Sequence, residues 1–475
     1  MVEQPHTGEG HDHTIFIAFL DDQIVPDGAA GLGDVPDAGG FGALDVVGEG
    51  EEGIGAEGNA VKPGQEFPLV FFRQPVGPAG EVVLPDAIGA DILLVAVDVA
   101  VDHVVPVGAA EVGAENVFDF SLGNPSVPAP AEVNDTAIQL LKEQADTIHC
   151  YTSAPGDTGA RQRIADSLNR RFGEQYTADE LYLTVGAAAS LCCVFNGLTC
   201  PGDEYILFAP FFPEYQVFIE GAKGKVKVIP PEIEHFQIDF SAFEQAVTCR
   251  TKGVIINSPN NPSGVVYSRQ TLETLAAILR AKEALYGHPI YLISDEPYRE
   301  IAFHGVEVPW VPQVYKDTIV CYSYSKSLSL PGERLGYVLV PKQVTDAEAV
   351  YAATAGAGRS LGYVNAPSLF QQVVSRCCDL TSDIGVYERN CALLTDALRE
   401  MGYHVAQPGG AFYLFPRSLE PDDMAFSERA KQFDLLLVPG SGFGAPGHFR
   451  IAYCVQTEMI ERALPRFKAL ADSYQ

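Results

Sequence analysis

From Val117 onward, short runs rich in β-branched and aliphatic residues alternate with longer stretches whose apolar positions recur at helical spacing. Tyr182 to Val185, Tyr205 to Ala209, Lys225 to Ile229, Gly253 to Asn257, Ile290 to Ser294, Ile319 to Ser323 and Gly336 to Val340 read as strands. Ala187 to Leu198, Phe211 to Glu220, Ser268 to Tyr286 and the stretch from Val364 to Cys378 fit helices. Strands and helices taking turns in this way predict an α/β fold with a mainly parallel sheet covered on both faces. Ligands collect at the carboxyl ends of the strands in such sheets, so chemistry is expected in the residues that follow each strand.

Residues 1 to about 110 break this texture. They are rich in Gly, Val, Asp and Pro, with neither a sustained helical period nor strand alternation. Two readings fit: a disordered acidic tail, or a stretch foreign to the native protein, such as a translated wrong frame. The abrupt change of composition just before Ala109 favours the second. More than half of the net charge of −31 sits here, because only Lys62 and Arg73 face nineteen acidic residues. A strongly acidic chain repels phosphate backbones and anionic lipid, so nucleic acid and membrane are poor partners, and any anionic ligand needs a local nest of donors. Asp86, Asp91, Asp98 and Asp102 interrupt the most apolar N-terminal stretch before it could span a bilayer. No basic stretch followed by an apolar run opens the chain, and the ten cysteines show neither a C-x-x-C pair nor a metal-ligand spacing. Reduced thiols, no metal and a cytoplasmic location are therefore expected.

Four motifs end four different strand-like runs or follow them closely. They are Ser258-Pro259-Asn260-Asn261-Pro262-Ser263-Gly264, Ser294-Asp295-Glu296-Pro297-Tyr298, Ser323-Tyr324-Ser325-Lys326, and Arg334 eight residues after that lysine. Each alone is common: an Asp often ends a strand, and an Asn before Pro is usually a turn residue. Together, in this order, they resemble the class I and II aminotransferases of fold type I, over residues 110 to 475.

The resemblance implies a pyridoxal-phosphate enzyme with a mostly parallel seven-stranded sheet and a smaller α/β domain built from both ends of the folded region. It assigns 111–150 and 386–475 to the small domain and 151–385 to the large, cofactor-binding one. Lys326 is then the catalytic residue that holds pyridoxal 5'-phosphate as a Schiff base and later moves a proton. Asp295 keeps the pyridine nitrogen protonated, and Asn261 and Tyr298 donate to the phenolic oxygen. Gly186, Ala187 and Ala188 follow a strand and open a helix, so their N–H groups face an anion. Ser323, Ser325 and Arg334 complete the phosphate nest, with Tyr151 reaching it from the other subunit of a homodimer. Of the two aromatics after Pro210, Phe211 and Phe212, the spacing selects Phe212 to stack on the ring. Arg450 grips the substrate carboxylate under a loop that holds Gly123 and Asn124, and Phe412 lines the pocket. Arg359, thirty-three residues beyond Lys326, stands close to where relatives specific for dicarboxylates place a second arginine; its flanking sequence reads as surface.

The activity implied is a ping-pong transfer of an amino group from an L-amino acid to a 2-oxo acid. The same constellation serves a β C–S lyase, which differs only in where the electrons of the Cα carbanion go. A third class, a ligand-sensing DNA-binding regulator, would need a basic helix-turn-helix ahead of the fold, and residues 1 to 110 carry only two basic residues.

Overall fold

The computed structural model describes residues 116–475. The expectations for residues 1 to 110 lie outside the described residues. In chain order the first elements are β1 (Phe118–Asp119), α1 (Ala131–Glu143), α2 (Thr158–Phe172), β2 (Leu181–Thr184), α3 (Ala187–Leu198), β3 (Glu204–Phe208), α4 (Glu214–Gly221) and β4 (Lys225–Ile229). Next come α5 (Phe240–Ala246), β5 (Thr251–Asn257), α6 (Arg269–Tyr286), β6 (Tyr291–Asp295), β7 (Thr318–Ser323), α7 (Tyr324–Ser327) and β8 (Gly336–Leu339). The C-terminal part holds α8 (Ala347–Ser360), α9 (Ser368–Cys377), α10 (Ile384–Glu400), β9 (Tyr413–Leu414), α11 (Asp423–Lys431), β10 (Leu435–Leu436), β11 (Val438–Pro439), β12 (Phe449–Ala452) and α12 (Thr457–Asp472).

All seven expected strands form and join one sheet in the order β2-β8-β7-β6-β5-β3-β4. β8 is antiparallel to both β2 and β7, and the other neighbouring pairs are parallel. It follows that β2, β3, β5, β6 and β7 all end at one edge of the sheet, and that β8 begins there. Two expected helices start late. The one read from Phe211 begins at Glu214, with Pro213 as its N-cap, and the one read from Val364 begins at Ser368 after Pro367. Proline has no N–H to give and suits a helix start, so it sets the boundary in both cases.

Alternate residues of each strand enter opposite cores, as a period of two requires. Ile319 and Cys321 of β7 pack with Leu191, Val194 and Phe195 of α3 and Val350 of α8. Val320 and Tyr322 pack on the other face with Ile164 and Leu168 of α2 and Val373 of α9. β5 and β6 repeat the pattern, with Val254, Ile256 and Leu292 meeting Leu272, Leu275 and Leu279 of α6. Each fully buried aliphatic side chain contributes roughly 1.5–3 kcal/mol. Burial on both faces therefore fixes the strands firmly enough to hold a row of polar groups at their ends.

A second core gathers Phe118, Phe120 and Val127 with Leu394 and Leu398 of α10, Phe426 of α11, Phe449 and Ile451 of β12, and Ile460 and Phe467 of α12. It covers the antiparallel sheet β11-β12-β9, while β1 pairs in parallel with β10. Within 111–150, expected to belong wholly to the smaller part, the packing is divided. Residues 118–127 enter this second core, whereas Val133, Leu140 and Ile148 bury against α2 and α9 in the core of the large sheet. The amphipathic helix α1 has its buried stripe toward those helices, and that stripe decides the side.

Gly336 ties this frame to the strand edge. A Cβ there would lie 2.3 Å from the Tyr322 carbonyl oxygen and 2.9 Å from the Gly186 carbonyl carbon, both backbone atoms that cannot swing aside. We expect Gly336→Ala to cost about 1–3 kcal/mol, as overpacking of closed sites does, and to lower the thermal midpoint. Gly332→Ala, whose Cβ meets nothing within 4 Å, is the control; equal melting of the two variants would contradict the argument.

Candidate active site

Asp295 is the last residue of β6, 5 % exposed at the strand edge. Its Oδ2 accepts a hydrogen bond of 2.5 Å from the Tyr215 hydroxyl, and its backbone carbonyl accepts from Asn257 Nδ2 at 2.8 Å. Its Oδ1 is buried and has no partner among the described residues. Burial pushes the carboxyl up to about 7; the Tyr215 bond opposes this and nearby Glu296 adds to it. Leaving a buried acceptor unsatisfied costs about 1–3 kcal/mol, so this oxygen is poised for a donor that the protein itself does not provide.

Lys326 sits in the short helix α7, which Ser323 caps by accepting from Ser325 N. Its Nζ donates to Gly123 O at 2.6 Å and lies 5.4 Å from the centre of the Phe412 ring. Burial above all lowers its pKa to about 8, with Arg450 and Arg334 contributing and Cys454 acting the other way. The neutral amine, the form that attacks a carbonyl carbon, is thus populated close to neutrality. The Cys454 thiol is itself pushed up to about 12 by burial and stays protonated, so it does not compete as a nucleophile.

Arg450, in β12, donates from Nη2 to Ser121 O at 2.6 Å and from Nη1 to Asn261 Oδ1 at 3.2 Å. Its guanidinium carbon lies 5.0 Å from the Tyr413 ring centre and 4.9 Å from that of Phe443, and its Nε is buried without a partner. Because Asn261 offers its oxygen to Arg450, its amide N–H groups face the other way. Asn261 is fixed by its backbone N–H, which donates to Asn257 Oδ1 at 2.7 Å. Tyr298, fully enclosed, shares a 3.0 Å hydrogen bond with the Tyr413 hydroxyl.

A third group of donors lies where β2 turns into α3. Gly186 is the N-cap of α3 with φ of 94°, in the left-handed region where glycine is favoured. The first N–H groups of the helix, from Ala187 and Ala188 onward, have no acceptor one turn back. Arg334 lies against this turn: its Nη2 would be 2.7 Å from a Cβ on Gly186, and it donates to Val185 O at 3.3 Å. The Ser323 and Ser325 hydroxyls are 2.7 Å apart beside it, both buried. A helix N-terminus, two hydroxyls and a guanidinium at one strand edge make a nest for a small anion.

The chain matches the family model for aminotransferase class I and II over residues 115–467. It belongs to that family. It is 30% identical over 356 residues to the aspartate/prephenate aminotransferase of Thermus thermophilus, covering 73% of this chain and 89% of that one. Among solved structures it is similar to an amino transferase from Eubacterium rectale, with a TM-score of 0.76 and 50% identity over 82% of this chain and 97% of the other. The aspartate aminotransferase of Thermotoga maritima superposes with a TM-score of 0.71 at 27% identity, covering 81% of this chain and 100% of that one. The fold is accordingly that of the fold type I enzymes, and the activity is that of an aminotransferase. These relatives are named for transfer, which favours it over the C–S lysis that the motifs alone left open.

In this aminotransferase the remaining expected residues are spread more widely. Phe412 is fully buried between Tyr298 and Tyr387, close beneath Lys326. Phe211 turns toward the smaller part of the fold, its ring against Gly444, whereas Phe212 stays partly exposed with its ring edge-on to Tyr215. Gly123 meets Lys326 and Tyr413, and Asn124 after it is exposed. Tyr151 is 93% exposed in the single chain, and Arg359 lies exposed in the last turn of α8. Among the described residues no helix is long and apolar enough to cross a membrane. All ten cysteines are free thiols.

Three residues at the site escaped the sequence reading: Tyr215, Asn257 and Tyr413. Tyr215 was legible only as an apolar position on a short helix, one turn after the Phe211-Phe212 pair. In the sequence Asn257 only ends a strand-like run, and nothing sets Tyr413 apart from its neighbour Phe412.

Lowering of the Lys326 pKa can be read directly. In cofactor-free protein, the rate of acylation at Lys326, followed by peptide mass mapping against pH, should reach half its maximum near pH 8. A solvated lysine reaches it near pH ~10.4, and a midpoint there would contradict the burial argument.

Proposed function

We propose that the protein binds pyridoxal 5'-phosphate at this strand edge and uses it to move an amino group from an L-amino acid to a 2-oxo acid, in two half-reactions at one site. The observation that carries this reading is Asp295 Oδ1, a buried carboxylate oxygen without a donor, at the same edge as the Lys326 amine. A protonated ring nitrogen is the donor that such an oxygen fits, and it would return the carboxyl to its ionised form. When bound, the cofactor supplies an aldehyde carbon that captures amines and a ring that accepts electrons from the substrate Cα.

This chain's residues then divide the work. Lys326 would hold the cofactor through its Nζ and, once the substrate amine has taken its place, would carry the proton from the substrate Cα to the carbon that had been the aldehyde. Asp295 holds the ring-nitrogen proton, and Tyr215 holds Asp295. Tyr298 and the free N–H of Asn261 donate to the phenolic oxygen. Gly186, Ala187, Ala188, Ser323, Ser325 and Arg334 hold the phosphate, and Phe212 covers the ring face. Arg450 takes the substrate carboxylate, for which its unpartnered Nε supports the reading; Gly123 and Asn124 belong to the loop over that carboxylate, and Phe412 forms the floor.

We further infer a homodimer in which Tyr151, largely bare of contacts in one chain, reaches the phosphate of the other subunit. The large domain is proposed to span 151–385 and to take in the helix over 131–143, with the small domain drawn from the ends on either side. Ten free thiols support a cytoplasmic location. Arg359 is given a part only if the partner subunit brings it to a distal carboxylate. Relatives named aspartate aminotransferases make aspartate the first donor to test.

Purified protein loaded with the cofactor should lose its visible absorbance band on adding aspartate alone and regain it with a 2-oxo acid. Lys326→Ala should abolish turnover, and Arg450→Ala should raise KM by about ten- to a hundredfold, the worth of one charge-assisted hydrogen bond or more. Undiminished turnover by Lys326→Ala would overturn the assignment. Release of pyruvate from cystathionine without an added oxo acid would move the function to lysis.

A further inference from the structure

Tyr413 touches three functional groups, and no role has been given to it. Its hydroxyl is 3.0 Å from that of Tyr298. The same hydroxyl would be 2.1 Å from a Cβ on Gly123, whose carbonyl takes the hydrogen bond from Lys326. Its ring lies 5.0 Å from the Arg450 guanidinium carbon, which Phe443 flanks at 4.9 Å. The backbone dictates this placement: Tyr413 pairs with Ala452 in the antiparallel β9–β12 ladder, two residues from Arg450 on the same strand. A diagonal neighbour across an antiparallel pair is within reach of an aromatic ring.

We propose that Tyr413 is a positioning residue that serves both ends of the site: its hydroxyl donates to Tyr298 and so aims the Tyr298 proton, and its ring seats Arg450. The inference rests on the cofactor reading above, in which Tyr298 donates to the phenolic oxygen. A phenol has one proton. If Tyr298 gave it to Tyr413, none would remain for the ring oxygen. With Tyr413 as donor, the Tyr298 oxygen is satisfied and its proton is free to point at the ligand, and two hydrogen bonds in series polarise one another. Phenylalanine at 413 would fill the same volume, so the hydroxyl is not needed for packing alone.

Both phenols remain protonated across the working range: burial raises Tyr298 well above its ordinary value and raises Tyr413 to about 12. The charged or titratable groups facing the pair are Asp295 and Arg450 beside Tyr298, and Arg450, Cys454 and Glu214 beside Tyr413. Lys326 stands across Gly123 from both. None of these is altered when the Tyr413 hydroxyl alone is removed.

The test uses the cofactor-loaded protein and reads the pH midpoint of its visible band together with kcat and KM for aspartate. A donor at the ring oxygen stabilises its negative charge. Weakening that donor makes the oxygen hold more tightly the proton it shares with the Lys326 nitrogen, so the midpoint rises. Tyr413→Phe should raise it by roughly half to one pH unit, the worth of one neutral hydrogen bond. It should lower kcat about three- to tenfold and leave KM within about twofold, because the ring still seats Arg450. Tyr413→Leu should show the same midpoint and a KM raised about tenfold. In a Tyr298→Phe background, Tyr413→Phe should shift the midpoint no further.

A wild-type midpoint and kcat in Tyr413→Phe, while Tyr298→Phe shifts both, would overturn the relay and leave the cofactor reading standing. So would a full, additive shift in the double variant. A chain that takes up no cofactor, or a Tyr298→Phe variant with a wild-type midpoint, would instead bring down the reading of the ring oxygen on which the relay rests.

Discussion

The hydrogen bond from Tyr215 to Asp295 Oδ2 is the contact around which the rest of the site is arranged. It fixes one oxygen of a carboxylate at the end of a strand buried on both faces and leaves the other without a donor. Such a group is costly to enclose, and burial pushes its pKa up to about 7. The sheet bears that cost through the apolar packing on both its faces, and a ligand with a protonated ring nitrogen would remove it. Stability of the fold and affinity for the ligand are thus set against each other at one atom.

Charge is handled locally. The chain as a whole is strongly acidic, yet Lys326, Arg334 and Arg450 gather along one edge of the sheet. Arg450 donates to Ser121 O and Asn261 Oδ1, both neutral, and lies between two aromatic rings. Neutral partners orient a guanidinium without cancelling its charge, which stays available to a carboxylate. The same two cations help keep the Lys326 amine uncharged, so anion capture and nucleophile activation draw on one set of residues.

Much of this was legible in the chain. Six apolar runs mark six strands of the large sheet, because buried strands advertise themselves by composition and length, and the exposed edge strand Lys225 to Ile229 shows instead by its β-branched residues alternating with lysines. Asp295, Asn261, Ser323 and Lys326 were legible because each ends or closely follows such a run, and Arg334 by its place eight residues after that lysine; the topology then brings these strand ends to one edge. Tyr215 and Tyr413 were not legible. One sits on a short helix and the other in a strand of two residues, and each looks like core until the partner hydroxyl or carboxylate is seen 2.5–3.0 Å away. The division of 111–150 was hidden for a related reason: α1 shows an apolar stripe, but the stripe does not name the sheet it will cover.

The central claim is that Asp295 Oδ1 accepts a hydrogen bond from a protonated ring nitrogen. The most direct measurement is the nitrogen-15 chemical shift of ring-labelled pyridoxal 5'-phosphate bound to the protein, followed as pH is raised from the acid to the alkaline side of neutrality. The account predicts that the nitrogen stays protonated throughout in the native protein and loses that proton in Asp295→Ala. A ring nitrogen that titrates as it does free in water, or that is indifferent to the Asp295 substitution, would contradict it.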